Sequence, residues 1–160
     1  MKRNDILGDI SNVIEELKEN GVQMCPTTLE DLEAINSLTN RKHLPKAYLE
    51  YYKYMGNGVS FFKGHSCFKN EIFKVKTWAE ELLNENKVQT KLSENDFVFW
   101  ISQGYMFCFF KLDEGDDPPV YYYCEGEGKG LSSFYKIAES FSLFLYRMYK
   151  YDRDLFKISI

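Results

Sequence analysis

The chain has 160 residues, 44% hydrophobic and 28% charged, with a net charge of −4. That composition suits one globular domain over residues 1–160 and excludes wholesale disorder. The acidic balance argues against direct nucleic-acid binding, and the longest apolar run, Tyr105 to Phe110, is far shorter than the roughly 20 residues of a membrane span.

Aromatic content is the outlying quantity: Phe 13, Tyr 12 and Trp 2, or 17% of the chain. A core of large flat side chains follows, with phenols that need polar partners where they are buried. Residues 1–5 lead into a polar, periodic segment without the apolar core of an export signal. A cytoplasmic location is therefore expected, with Cys25, Cys67, Cys108 and Cys124 as reduced thiols. Their separations of 42, 41 and 16 residues contain no paired metal-ligand spacing. Cys108 and Cys124 sit in strand-like runs and read as small buried hydrophobes.

In chain order, Ile6, Ile10, Val13, Ile14 and Leu17 recur at helical spacing until Asn20-Gly21. Thr27-x-x-Glu30 reads as a capping box for a second helix, with Leu29, Leu32 and Ile35 on one face. His43-Leu44-Pro45 opens a third, with Tyr48, Leu49, Tyr52 and Met55 as its buried stripe and Gly56-Asn57-Gly58 as its end. Val59 to Phe62 and Glu71 to Lys76 read as short strands. Thr77-x-x-Glu80 caps a fourth helix with Trp78, Leu82 and Leu83 inward, and residues 84–95 read as loop.

Phe97 to Ile101, Tyr105 to Leu112 and Val120 to Cys124 are the strongest strand candidates. Their short separators predict antiparallel neighbours, with a hairpin over 96–112 turning at Gln103-Gly104. Both faces of these strands are apolar, so both are expected to be covered. Leu131 to Ile137 reads as extended or irregular. Ser140 caps a closing helix with Phe141, Phe144, Leu145 and Met148 on one face, and Leu155 to Ile160 reads as a final strand. The sum is an α+β fold: N-terminal helices, a central antiparallel sheet and a closing C-terminal helix.

Catalytic signatures are sparse. His65-x-Cys67 is close in sequence, but a turn beside Gly64 at the surface explains it, and alternate strand residues point to opposite faces. No Gly-x-Ser-x-Gly elbow occurs. The glycine-rich run Glu125 to Gly130 lacks the Gly-Lys-Ser/Thr of a phosphate loop, and its glutamates would repel phosphate. Asp113, Glu114, Asp116 and Asp117 do not match a calcium loop, since Gly115 and Pro118 fall at the third and sixth positions. No catalytic residue, cofactor or metal is expected.

Charge is concentrated instead. Residues 111–127 hold one lysine against six carboxylates (Asp113, Glu114, Asp116, Asp117, Glu125 and Glu127), a local charge of −5. With Tyr121, Tyr122 and Tyr123 between the two acidic turns, an anionic and aromatic surface for a cationic protein partner is expected, provided the turns project together. The candidate contact residues are Asp113, Glu114, Asp116, Asp117, Tyr121, Tyr123, Glu125 and Glu127.

Four segments, in order, resemble one known family. Leu44-Pro45-Lys46-Ala47-Tyr48-Leu49-Glu50-Tyr51-Tyr52 with Met55-Gly56-Asn57-Gly58 is similar to the Leu-Pro-x-x-Tyr helix of the SUKH superfamily, which includes the yeast cell-wall assembly regulator and many bacterial immunity proteins. Phe99 to Phe107 resembles its central hairpin, Asp117 to Tyr123 its next strand, and Ile137 to Leu145 its closing helix. Gly-Asn-Gly stands here where Asn-Gly-Gly is frequent.

The resemblance implies an α+β fold without shared catalytic residues or cofactor. It also implies a non-enzymatic role: a bacterial immunity protein that binds and neutralises a cognate protein toxin, often a nuclease. The alternative is a regulatory scaffold that recruits an endogenous protein. An enzyme assembling His65 and Cys67 with distant carboxylates is the third reading. The quoted motif residues start, end or pack helices, so the binding surface is expected among non-motif residues.

Overall fold

The computed structural model describes residues 9–39, 42–126, 134–152 and 155–156. Chain order is α1 (Ile10–Glu19), β1 (Met24–Cys25), α2 (Leu29–Asn36), a 3-10 turn (Ser37–Thr39), α3 (Lys46–Met55), β2 (Gly58–Val59), a second 3-10 turn (Ser60–Phe62), α4 (Ile72–Glu85), β3 (Asp96–Ser102), β4 (Met106–Lys111), β5 (Val120–Cys124), β6 (Tyr135–Ala138) and α5 (Phe141–Tyr151). The expected α+β architecture is present. Strands β3-β4-β5-β6 form an antiparallel meander in sequence order, and β1 pairs with β2 in a separate two-stranded sheet.

The hairpin turns where expected. Gln103 and Gly104 both take positive φ (49° and 73°), the left-handed pair that suits the strand twist of tight hairpins. A register shift between Val98 and Trp100 leaves Phe99 as an extra residue in β3. Phe97 pairs with Phe110 and Trp100 with Cys108, so the bulge keeps Trp100 on the Phe97 side of the sheet.

That side carries the main core. Tyr48 of α3 lies 5.3 Å from both Phe97 and Phe110 and 5.6 Å from Phe141 of α5, measured between ring centroids. Phe99 meets Phe141 and Phe144 edge-on at 5.2 and 5.5 Å. α1 packs on α3 and α5 through Ile10, Val13, Ile14 and Leu17, and α4 packs against β3.

The tight start of this layer explains one motif glycine. A Cβ on Gly56 would stand 2.5 Å from the Tyr52 carbonyl oxygen and 2.6 Å from Thr27 Cγ2, so only glycine fits at the end of α3.

Several local expectations shift. The second helix is capped by Thr28, whose hydroxyl accepts the Asp31 N–H while the Asp31 carboxylate accepts the Thr28 N–H. Thr27 is turned away, donating its hydroxyl to the Tyr52 carbonyl at 2.8 Å. Leu29 is consequently exposed, while Leu32 is half-buried and Ile35 buried.

Residues 72–76 are helix, not strand. Ile72, Val75, Ala79, Leu82 and Leu83 make one buried stripe, which places Thr77 inside α4 rather than at its cap and leaves Trp78 half-buried. Residues 60–62 form a 3-10 turn rather than strand. Leu155 and Phe156 are helical rather than extended; Phe156 stacks on Trp100 at 5.9 Å, and 157–160 lie outside the described residues. Tyr135 to Ala138 is an edge strand whose pairing with β5 shifts register and leaves Ile137 as an extra residue, while 131–133 lie outside the described residues.

Candidate interaction surface

The acidic turn between β4 and β5 is held by backbone at its start. Leu112 N–H donates to the Asn95 carbonyl at 2.8 Å, and Gly115 takes a φ of 90° that an L side chain would resist. Its second half joins two helix starts. The Asp116 carbonyl accepts the Ala47 N–H of α3 at 2.9 Å, and Asp117 Oδ1 accepts the Ser142 N–H of α5 at 2.9 Å. The first N–H groups of a helix have no intrahelical acceptor, so both contacts satisfy donors that would otherwise be unpaired. Burial raises the Asp117 pKa and the Asp9 carboxylate adds to the rise, against lowering by its bonds to Ser142 and Phe141.

The four turn carboxylates therefore have different employments. Asp117 is half-buried and fixes α5. Glu114 is half-buried and accepts the Tyr121 hydroxyl at 3.0 and 3.1 Å. Asp113 and Asp116 are exposed, and neither has an ion-pair partner among the described residues.

Tyr121 is stacked on Phe109 at 5.5 Å with the Lys111 ammonium 5.7 Å from its ring. Its hydroxyl is pushed up to about 12, by burial first and then by Glu114. Tyr123 is buried, stacked on Phe107, and accepts a hydrogen bond from Asn86 Nδ2 at 3.1 Å. It packs the sheet onto the end of α4 and offers little surface.

Glu125 does not adjoin the first turn. Residues 113–119 precede β5 and Glu125 follows it, so the five-residue strand puts the two at opposite ends, about 17 Å apart. Glu125 is exposed there, and Glu127 lies outside the described residues. Among the described carboxylates, Glu125 therefore stands apart from Asp113, Glu114, Asp116 and Asp117.

Two depressions border this turn, one at Leu112 and one at Asp116. A groove of about 70 Å³ runs between Leu38, Phe73 and Leu112, with Glu94 and Lys76 at its rim. Phe73 is 46% exposed and Leu38 39%. A shallower depression of about 480 Å³ is lined by Lys42, His43, Lys46 and Asp116. The groove draws on residues from three separate elements, so it was invisible in sequence order. Only the helical phase of Phe73, off the stripe of Ile72 and Val75, signals its exposure.

His65 and Cys67 are both buried, not in a surface turn. His65 lies against Trp100 at 4.6 Å, with Nδ1 3.0 Å from the Ser102 hydroxyl and Nε2 3.8 Å from Asp152 Oδ1. These are the residue types of a nucleophile, base and orienting carboxylate. Ser102, however, is 0% exposed, so it presents no hydroxyl to a substrate, and 3.8 Å exceeds a hydrogen bond. The line ties the end of β3 to the end of α5.

Burial pushes the Cys67 and Cys108 thiols well up, away from the thiolate that a nucleophile requires. Cys124 is half-buried and Cys25 exposed. Among the described residues no group of three His, Cys, Asp or Glu side chains is placed to hold a metal, and no helix is long and apolar enough to cross a membrane.

A helix-covered antiparallel meander, preceded by helices and closed by α5, makes this an α+β domain. The chain belongs to the SMI1 / KNR4 family (SUKH-1), whose family model matches residues 26–147, from just before α2 into α5. Membership is consistent with an immunity-protein or interaction-module role. No curated protein and no solved structure gives a match.

Proposed function

We propose that the protein is a cytoplasmic, non-enzymatic immunity protein that binds a cognate protein toxin and neutralises it by occupying its working surface. The family match over residues 26–147 carries this reading. The exposed carboxylates Asp113 and Asp116 support it, because they give a cationic partner such as a nuclease a favourable encounter. Glu114 and Tyr121 stand beside them as a paired, half-buried wall of the same surface. Asp117 acts as the strut that holds the turn on α5.

The test is co-expression with the toxin encoded beside its gene. Growth protection and a stable complex are the expected results. No protection and no complex, with a toxin shown to be active alone, would sink the reading and turn attention to the scaffold role.

A further inference from the structure

Lys111 is the single basic residue of the acidic segment 111–127. It ends β4 close to Glu114, whose N–H donates to the Lys111 carbonyl at 3.3 Å. Both side chains also meet Tyr121: the Lys111 ammonium lies 5.7 Å from its ring centre, and Glu114 accepts its hydroxyl at 3.0 and 3.1 Å. A lysine and a glutamate so placed could pair with each other. They do not, and Glu114 has no ion-pair partner among the described residues.

Asp96 takes the ammonium instead. It stands opposite Lys111 in the β3–β4 register, and its Oδ1 accepts Lys111 Nζ at 3.1 Å. Its Oδ2 accepts the Ser93 N–H at 2.8 Å, which fixes the carboxylate from the backbone. Asp96 is only 4% exposed, whereas Glu114 is half-buried. A buried carboxylate needs its counter-charge more than one that water reaches, so Asp96 wins the competition. Glu114 is left with a neutral partner. The Tyr121 hydroxyl, pushed up to about 12 by burial and then by Glu114, stays protonated and orients the carboxylate without cancelling its charge. Lys42, which borders Asp116 with His43 and Lys46, is likewise held on Asn95 Oδ1, and Asp116 forms no ion pair among the described residues.

We propose that Asp96 is a positioning residue of the partner surface: it holds Lys111 off Glu114, so that Glu114 meets a lysine or arginine of the partner as a charged carboxylate oriented by Tyr121. This deepens the immunity reading and rests on it for the partner, while the competition for Lys111 belongs to the chain alone. A partner cation then finds a preorganised carboxylate, not one that must first release its own lysine.

Two measurements on the full chain test it. In the first, the crystal structure of Asp96→Asn is determined. Lys111 Nζ is expected within hydrogen-bond distance of a Glu114 carboxylate oxygen. An ammonium in solvent, or still on residue 96, would overturn the competition.

In the second, affinity for the adjacent-gene toxin is measured with the unfolding midpoint as a fold control. Asp96→Asn is compared with Asp96→Asn combined with Lys111→Met, which restores the net charge of the wild type. Glu19→Gln is the control for a unit change of charge: Asp9 at the start of α1 faces Asp117, and exposed Glu19 lies at the helix's other end, about 15 Å away. A loss of about tenfold is expected in Asp96→Asn, recovery to within about twofold in the double variant, and a change below about threefold in Glu19→Gln. A folded double variant without recovery, or an equal loss in Glu19→Gln, would overturn the positioning role. Glu114→Gln decides the matter if Asp96→Asn fails to fold: a loss of about tenfold is expected, and unchanged affinity would overturn the proposal. A wild type that binds no toxin would sink the immunity reading, and the crystal structure would still decide the competition for Lys111.

Discussion

The helix layer over the sheet and the end of the sheet near Asp113 use similar side chains for opposite purposes. In the first, Tyr48, Phe99, Phe110 and Phe141 are buried in mutual ring contacts, and they lie in or beside the segments shared with the family. In the second, Phe73 and Leu38 stand half in solvent at a groove that also holds Lys76 and Glu94, and Glu94 has no ion-pair partner among the described residues. The contrast continues inside one turn, where Asp117 accepts the Ser142 N–H and Asp113, four residues earlier, is exposed with no ion-pair partner among the described residues. The buried rings lie in or beside the segments that resemble the family, while Leu38, Phe73 and Asp113 lie outside those segments, though within the matched range 26–147.

Phe141→Ala would break the scaffold side of this contrast most strongly. It removes a fully buried ring that meets Tyr48, Tyr51, Phe99 and Phe110. A loss of about 3–5 kcal/mol in urea unfolding is expected.

Next is Asp117. Asp117→Ala removes the acceptor for the α5 N–H and is expected to cost about 1–2 kcal/mol, whereas Asp117→Asn keeps an acceptor and restores most of it. The raised pKa of Asp117 adds a pH signature. The fold favours its protonated form, so that contribution is complete below the ordinary carboxylate pKa and fades as pH rises through the raised value. The stability gap between wild type and Asp117→Asn should therefore narrow, or change sign, from acid towards neutral pH. A gap that widens instead would contradict the assignment.

Thr28→Ala should cost about 1 kcal/mol through loss of the α2 cap. The cap also holds the Asp31 carboxyl below its ordinary value, chiefly through the Thr28 N–H, so stability from it is present above the unfolded carboxylate pKa and lost as pH falls through the lowered one. A pH-flat stability difference between wild type and Asp31→Asn across the acid range would argue against that coupling. The smallest effect belongs to Asp113→Asn with Asp116→Asn, under about 0.5 kcal/mol, since both are exposed and have no ion-pair partner among the described residues.

Strong, local patterns were legible in the sequence. The Gln103-Gly104 hairpin, the helix opening at Leu44-Pro45 and the Ser140 cap are set by neighbours in the chain, and each lies where it was expected. The misreadings share a physical origin in tertiary choice. Thr27-x-x-Glu30 and Thr28-x-x-Asp31 both fit a capping box, and the Tyr52 carbonyl decides between them by engaging Thr27. Residues 71–76 alternate well enough for a strand, but the longer stripe from Ile72 to Leu83 wins as a helix.

For the surface, the charge was legible and its arrangement was not. The chain contains six carboxylates within residues 111–127, but β5 separates Glu125 from the first four, Glu114 is claimed by Tyr121 and Asp117 by α5. The groove needs Leu38, Phe73 and Leu112 brought together by the fold, which no local pattern encodes.

The most direct test of the account is the rate of association with the adjacent-gene toxin across a salt series, for wild type and for Asp113→Asn with Asp116→Asn. The wild-type rate should fall steeply with salt, and the variant should associate more slowly, with a flatter salt dependence and an unchanged unfolding midpoint. Superimposable rates at every salt concentration would place the partner elsewhere on the molecule.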